Sequence, residues 1–390
     1  MRLTIIDGFR GFFLVFMMII HSDTYLKTTL GKLNHHYFGW VEDAQGFVFM
    51  SGLVVGLVYG GRYIRHGYKT MHSAIWKRIK TIYSHQLGLV TLFVLVAIIM
   101  SQYGLSPKAF DSYAASPFVF PALSALLVTG SMHMGILPMY IFFLAGTPFA
   151  LKLLKNESYM TFIAISVSLW MFAQTQLPDL VVRTLEVQLD DAGQKVSLGI
   201  FFNIFGWQAL FFCGLAVGYL MAAKKFSAQF LWSQDAYKAF LVCVAAFLLL
   251  GVFDRIVFDK WFGIEFSTSI LGETDRGNFS MIYMIAFVAD LYIVAWLLGP
   301  GISAPQRLWR IIAQFLIKVM SLRPLVFLGQ HSLHVFSAHI VLIYIISVVF
   351  EKGPPSALTG NLLILLVPLP LFLVAWLHAL SIKNALAKQT

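Results

Sequence analysis

Ten runs of apolar residues, each about as long as a hydrocarbon core is thick, divide this chain, and a segment of that length and character belongs in a bilayer. They fall at about 5 to 24, 45 to 62, 80 to 101, 134 to 151, 158 to 177, 200 to 222, 237 to 256, 279 to 299, 324 to 349 and 358 to 380. With 59% hydrophobic and 12% charged residues, the fold class expected is all-α. More specifically, the expectation is a polytopic membrane helix bundle of about ten transmembrane helices, forming one integral domain over residues 1 to 390. The first run is interrupted by Arg10 and lacks a small-residue cleavage site, so it reads as a retained helix and not a signal peptide.

A net charge of +10 would suit a nucleic-acid partner, but its distribution assigns it to topology. Eighteen of the 28 basic residues, Arg62, Arg65, Arg307 and Arg323 among them, fall in connections on one side, where the clear acids are Glu157 and Asp235. The other side carries nine bases against fourteen acids. The positive-inside rule then puts both termini in the cytoplasm, and nucleic acid needs no place in the account. The run WKRIKTIYSH, with Lys77 and Arg78, is the best candidate on that side for an anionic ligand; anchoring to lipid headgroups is the plain alternative. Cys213 and Cys243 lie in apolar runs and offer neither a disulfide framework nor a metal site. In the connection from 102 to 133, FVFPALSALLVTG is too short to span and reads as a re-entrant or interfacial helix.

Ionisable groups inside membrane segments are costly, which makes them functional candidates. The first run, DGFRGFFLVFMMIIH, holds Asp7, Arg10 and His21. Arg10 and His21 are roughly 16 Å apart along a helix, at two depths of the bilayer. The second, EDAQGFVFMSGLVVGLVYG, repeats glycine every fourth residue from Gly52 to Gly60, a smooth stripe for a neighbouring helix. Glu42 at its outer end is placed to orient His21 and fix its tautomer. The ninth, PLVFLGQHSLHVFSAHI, carries His331, His334 and His339, whose directions on one helix diverge by about 60° to 140°. They do not converge as metal ligands must, and no metal is expected. His339 falls near the level of His21. His133, His85, His378 and the loop residues His35 and His36 read as packing or surface histidines, and Asp290 is expected to meet a partner inside the bundle. There is no Walker loop, dinucleotide fingerprint or nucleophile elbow.

DGFRGFFLVFMMIIH together with FVFMSGLVVGLVYG resembles the OpgC family, the membrane succinyltransferases of osmoregulated periplasmic glucans. The R-x10-H spacing from Arg10 to His21 is also that of the broader transmembrane acyltransferase group, which includes the type-3 acyltransferases. Ser332, Phe336 and His339 are similar to a late S-x3-aromatic-x2-H element of that group. In two places the chain departs from the pattern: Gln45 stands where an acid is common, and Phe336 where tyrosine is frequent. What the resemblance implies is a multi-pass enzyme of the bacterial inner membrane. It would move an acyl group, succinyl favoured and acetyl the other choice, from cytoplasmic acyl-CoA to a hydroxyl of a periplasmic glycan. On that reading His21 is the general base, with Glu42 or His339 orienting it. Arg10, held by Asp7 and supported by Lys77 or Arg78, binds the donor's phosphates. The partners are then acyl-CoA, the glycan and membrane lipids. The alternative is a transporter or flippase in which Arg10, His21 and Asp290 line a substrate or proton path.

Overall fold

Apolar runs with few internal Pro or Gly breaks fold as helices, and the computed structural model, which describes residues 4–32, 39–130, 133–175, 177–194 and 196–387, is all-helical. Among those residues the β structure is a single bridge between Thr129 and Gly199. In chain order the helices are α1 Thr4–Leu26, α2 Asp43–Val55, a π-helical turn Gly56–Gly60, α3 Gly61–Gln102, α4 Asp111–Ala115, α5 Val119–Ala125, α6 Ile136–Lys155, α7 Tyr159–Ala173 and α8 Leu177–Asp191. They continue as α9 Ile204–Ala222, α10 Gln234–Phe258, α11 Ile264–Glu273, α12 Met281–Leu298, α13 Arg307–Met320, α14 Arg323–Gln330, α15 Ser332–Val349, α16 Ala357–Leu366 and α17 Leu369–Ala387. Among the described residues eight helical runs are long and apolar enough to cross a membrane, and up to ten if each of two bent pairs counts as one span.

Three expected spans are refined. The run Asp43–Gln102 is 60 residues long, yet both its ends lie at the His21 end of the bundle: Glu42 pairs with Arg276 there, and Lys108 N–H donates to Glu351, just past α15 (2.9 Å). The run therefore doubles back, and the one residue with non-helical angles is Gly67 (φ 79°, ψ 176°), a conformation nearly confined to glycine. The expected span 158 to 177 is α7, 15 residues long, bent by 52° into α8. The expected span 324 to 349 is broken at His331 (φ −107°, ψ 20°) into α14 and α15. The first turn of α15, with its unbonded N–H groups, thus begins inside the bundle.

Close helix pairs fix the frame around α1 and α2. A Cβ on Gly52 or Gly56 would stand 2.0 or 2.1 Å from the carbonyl oxygen of Phe211 or Leu215 on α9. The fit is reciprocal, since a Cβ on Gly214 or Gly218 would stand 2.2 or 2.1 Å from the Phe49 or Leu53 carbonyl oxygen. The same device joins α1 to α14, where Gly329 meets the Asp7 carbonyl and Gly11 that of Leu325. The short α5 dips deep into the bundle: Tyr83 Oη donates to Ala125 O (3.1 Å) and Gln86 Nε2 to Ser124 O (3.4 Å). These α3 residues lie roughly 25 Å back from its end at Gln102, so 119 to 127 form a re-entrant segment. α13 is amphipathic, with Arg307, Arg310 and Lys318 beside exposed Leu308, Ile311 and Phe315, as in a helix lying in a membrane surface.

Candidate functional site

α1 and α15 run parallel, and two polar contacts join them like rungs. At one end Arg10 Nη2 donates to Ser332 Oγ; at the other His21 Nδ1 lies 3.0 Å from His339 Nε2. Helical geometry makes both rungs possible, because eleven residues from Arg10 to His21 and seven from Ser332 to His339 each return to within about 20° of the same face. Between the α15 rungs stands Phe336, buried and stacked on Phe47 with ring centroids 6.2 Å apart. Asp7 Oδ1 lies 3.7 Å from Arg10 Nη1, a local i,i+3 pair at the point where α1 and α14 touch through their glycines.

At the His21 end a third imidazole joins the pair. His133, in left-handed backbone (φ 64°) just before α6, packs against His21 with centroids 4.0 Å apart and ring planes tilted by 30°, and stands 6.3 Å from His339. Burial, and then the positive charge of Arg276, hold the His133 imidazole down to about 4, so it is neutral at pH 7. His339 is fully buried, and Asp43, 2% exposed, lies within electrostatic reach of it. Glu42, expected beside His21, is turned to the rim instead, where its Oε1 accepts from Arg276 Nη1 at 2.8 Å. Its own N–H donates to Gln45 Oε1 (3.3 Å). Gln45 therefore closes a capping box at the start of α2, a task that its amide performs as well as an acid would. The Arg276 guanidinium also lies over the Phe201 ring, 4.9 Å from its centroid.

At the Arg10 end two cavities meet. One, of about 410 Å³, is lined by Arg10, Ser51, Tyr59, Arg78, Tyr140, Ser332 and three histidines, His331, His334 and His378. These histidines form a cluster with His85: His331 and His378 share a hydrogen bond (2.8 Å), His334 stacks on His378 at 3.5 Å, and His85 meets His334 edge-on at 4.7 Å. Stacked rings do not aim their nitrogens at one point, and among the described residues no group of three or more His, Cys, Asp or Glu is placed to hold a metal ion. The second cavity, of about 550 Å³, is lined by Asp7, Arg10, Arg62 and Arg65. With Arg10, Arg78 and the first turn of α15 around it, the first cavity has the chemistry to hold a phosphate ester.

The structure thus brings Asp7, Arg10 and Arg78 to one end and His21 and His339 to the other, places Glu42 on the rim, and leaves Lys77 exposed outside both linings. Sequence reasoning passed over His133, Asp43 and the histidines of the inner cluster as site residues. The signal for His133 was its place at the outer opening of a span, at the level of His21. His35 and His36 lie outside the described residues. Asp290 lines neither cavity; among the described residues its Oδ2 is buried without a hydrogen-bond partner, within electrostatic reach of Cys243. Both cysteines are free, Cys213 on the bundle surface.

A family model described as OpgC protein matches residues 2–383. No curated protein and no solved structure matches.

Proposed function

The chain belongs to the OpgC family, and from that premise we propose that it is an inner-membrane O-acyltransferase that moves an acyl group, succinyl favoured, from cytoplasmic acyl-CoA to a hydroxyl of a periplasmic glycan. The observation that carries this reading is the pair of rungs between α1 and α15, which holds a cation for the donor at one depth and an imidazole pair for the acceptor at another.

The chemistry follows from those positions. Arg10 and Arg78 hold the donor's phosphates, and the acyl arm extends along α1 toward His21. His21 donates its Nδ1–H to His339 Nε2, which leaves its own Nε2 with a lone pair to take the acceptor's hydroxyl proton. The alkoxide oxygen bonds to the thioester carbonyl carbon, the C–S bond breaks, and the proton passes from His21 to the leaving thiolate. Asp43 favours the transient positive charge on the imidazole pair, and neutral His133 adds no repulsion to it. On this reading Glu42 and Arg276 form the rim past which the glycan approaches.

The test compares extracytoplasmic glycans by mass spectrometry from cells with the protein, without it, and with His21→Ala. A mass increment that appears with the wild type and is missing in the other two supports the reading and names acyl group and acceptor together. One observation favours a second reading, transport: α15 starts at a break inside the bundle, as half-helices of transporters do. Changed solute flux with unchanged glycan masses would select it.

A further inference from the structure

The wall between the two cavities is built around an irregular turn. The π-helical turn Gly56–Gly60 inserts an extra residue into the helix that carries α2 into α3, a feature that in other helices often accompanies a functional site. Arg10, Val54 and Val58 belong to the lining of both cavities, so the two adjoin with Arg10 at the junction. The outer one, about 550 Å³, adds Arg62 and Arg65. Arg62 lies over the ring of Tyr59, which lines the inner cavity, with its guanidinium carbon 5.9 Å from the centroid. Gly61 leaves space for Arg65, whose Nη2 would stand 3.7 Å from a Cβ there.

The charges in this outer cavity do not cancel. Among the described residues three guanidinium groups line it with one carboxylate, Asp7, which lies against Arg10. Among the described residues neither Arg62 nor Arg65 forms an ion pair. Two unopposed guanidinium groups match a phosphate monoester, which carries a charge of about −1.5 to −2 near neutral pH, and their planar forks suit its oxygens.

We propose that Arg62 and Arg65 bind the ribose 3′-phosphate of the donor, while the inner cavity under Ser332 takes its diphosphate and the acyl-bearing arm. This rests on the acyl-CoA reading above. Coenzyme A carries two anionic groups separated by a ribose, and the protein offers two adjoining cationic cavities separated by Arg10. A lipid headgroup presents the same phosphate chemistry, and Val54, Leu57 and Ile64 beside the arginines would suit its acyl chain; the shared Arg10 junction favours the nucleotide.

The experiment uses the full chain in phosphatidylcholine nanodiscs and measures competition of coenzyme A and 3′-dephospho-coenzyme A against a labelled acyl-CoA. The wild type is expected to bind coenzyme A about tenfold or more tightly than the dephospho form, the loss expected for one charge-assisted contact. Arg62→Gln with Arg65→Gln is expected to bind the two equally, at the affinity the wild type has for the dephospho form. Arg62→Lys with Arg65→Lys, which keeps the charge, is expected to retain part of the preference and shows that a loss in the Gln pair is not misfolding. A wild type without preference, or a Gln pair that keeps it, overturns the proposal and leaves the acyl-CoA reading standing. Phosphatidic acid retained by the wild type and not by the Gln pair, with no preference between the nucleotides, makes the cavity a lipid site and also overturns it. Failure of the wild type to bind either nucleotide overturns the acyl-CoA reading itself, and the proposal with it.

Discussion

An imidazole accepts a proton only through a nitrogen that keeps its lone pair, and in the proposed mechanism the 3.0 Å contact with His339 occupies Nδ1 of His21 and leaves Nε2 for that task. His339→Phe, which keeps a ring but not the acceptor, is therefore expected to lower kcat by about 10- to 100-fold with KM for the glycan nearly unchanged, as positioning groups do. Steady-state kinetics on the purified variant measures it, and a change in KM alone would count against the assignment. His133 gives a stability prediction. Its proton affinity is near 6.5 when unfolded and about 4 when folded, so between those values the unfolded chain binds more protons and stability rises with pH. The neutral, buried imidazole contributes fully above about 6.5, and its contribution is lost as the pH falls toward 4. Thermal melting from pH 7 to 5 should fall less steeply for His133→Gln than for the wild type; equal slopes would contradict it. At this scale Arg10 and His21 were legible as candidates because ionisable residues stand out in an apolar run, while the contacts each makes with α15 were not. Nor were Asp43 and His133, because of two adjacent acids only packing decides which turns inward, and a contact across more than a hundred residues leaves no local pattern.

Among the elements, the glycine repeat on α2 was readable as a packing stripe, and Gly214 and Gly218 on α9 keep the same four-residue spacing, while only the structure shows that these two stripes meet. Filling that contact has to push two backbones apart. Gly214→Leu is expected to destabilise the bundle by about 1–3 kcal/mol or more through overpacking. Gly88→Ala, at a helical glycine with open space around it, should instead leave stability unchanged or raise it by about 0.5–1 kcal/mol. Unfolding in detergent compares the two, and equal effects would deny the close approach of α2 and α9. The break at His331 and the π-helical turn were not legible, because an apolar run with a few polar residues reads as one continuous helix. Both irregularities lie beside Arg10, where a straight pair of helices would leave less room for a ligand.

At the scale of the whole molecule the apolar runs disclosed the all-helical membrane fold, since hydropathy alone defines spans. The doubling back at Gly67 was legible too, as the stretch of basic residues between two apolar runs. The depth of the re-entrant α5 was not, since its carbonyls are satisfied by Tyr83 and Gln86 from far along the chain. The account sets the Arg10 end toward the cytoplasm and the His21 end toward the periplasm. Cysteines introduced at Lys225 and Lys108 should then react with an impermeant maleimide from opposite sides, Lys108→Cys in intact cells with a permeable outer membrane and Lys225→Cys only after lysis; the reverse pattern would invert the topology. The central claim is that one helix pair carries an acyl group from a donor on the Arg10 side to an acceptor on the His21 side. Its most direct measurement is transfer from labelled acyl-CoA to glycan in proteoliposomes of fixed orientation. The account predicts labelled glycan only when donor and acceptor lie on those respective sides, and a loss of about 10²- to 10⁴-fold in His21→Ala, the share that general base catalysis supplies; transfer indifferent to the side of the donor, or undiminished in the correctly inserted variant, would contradict it.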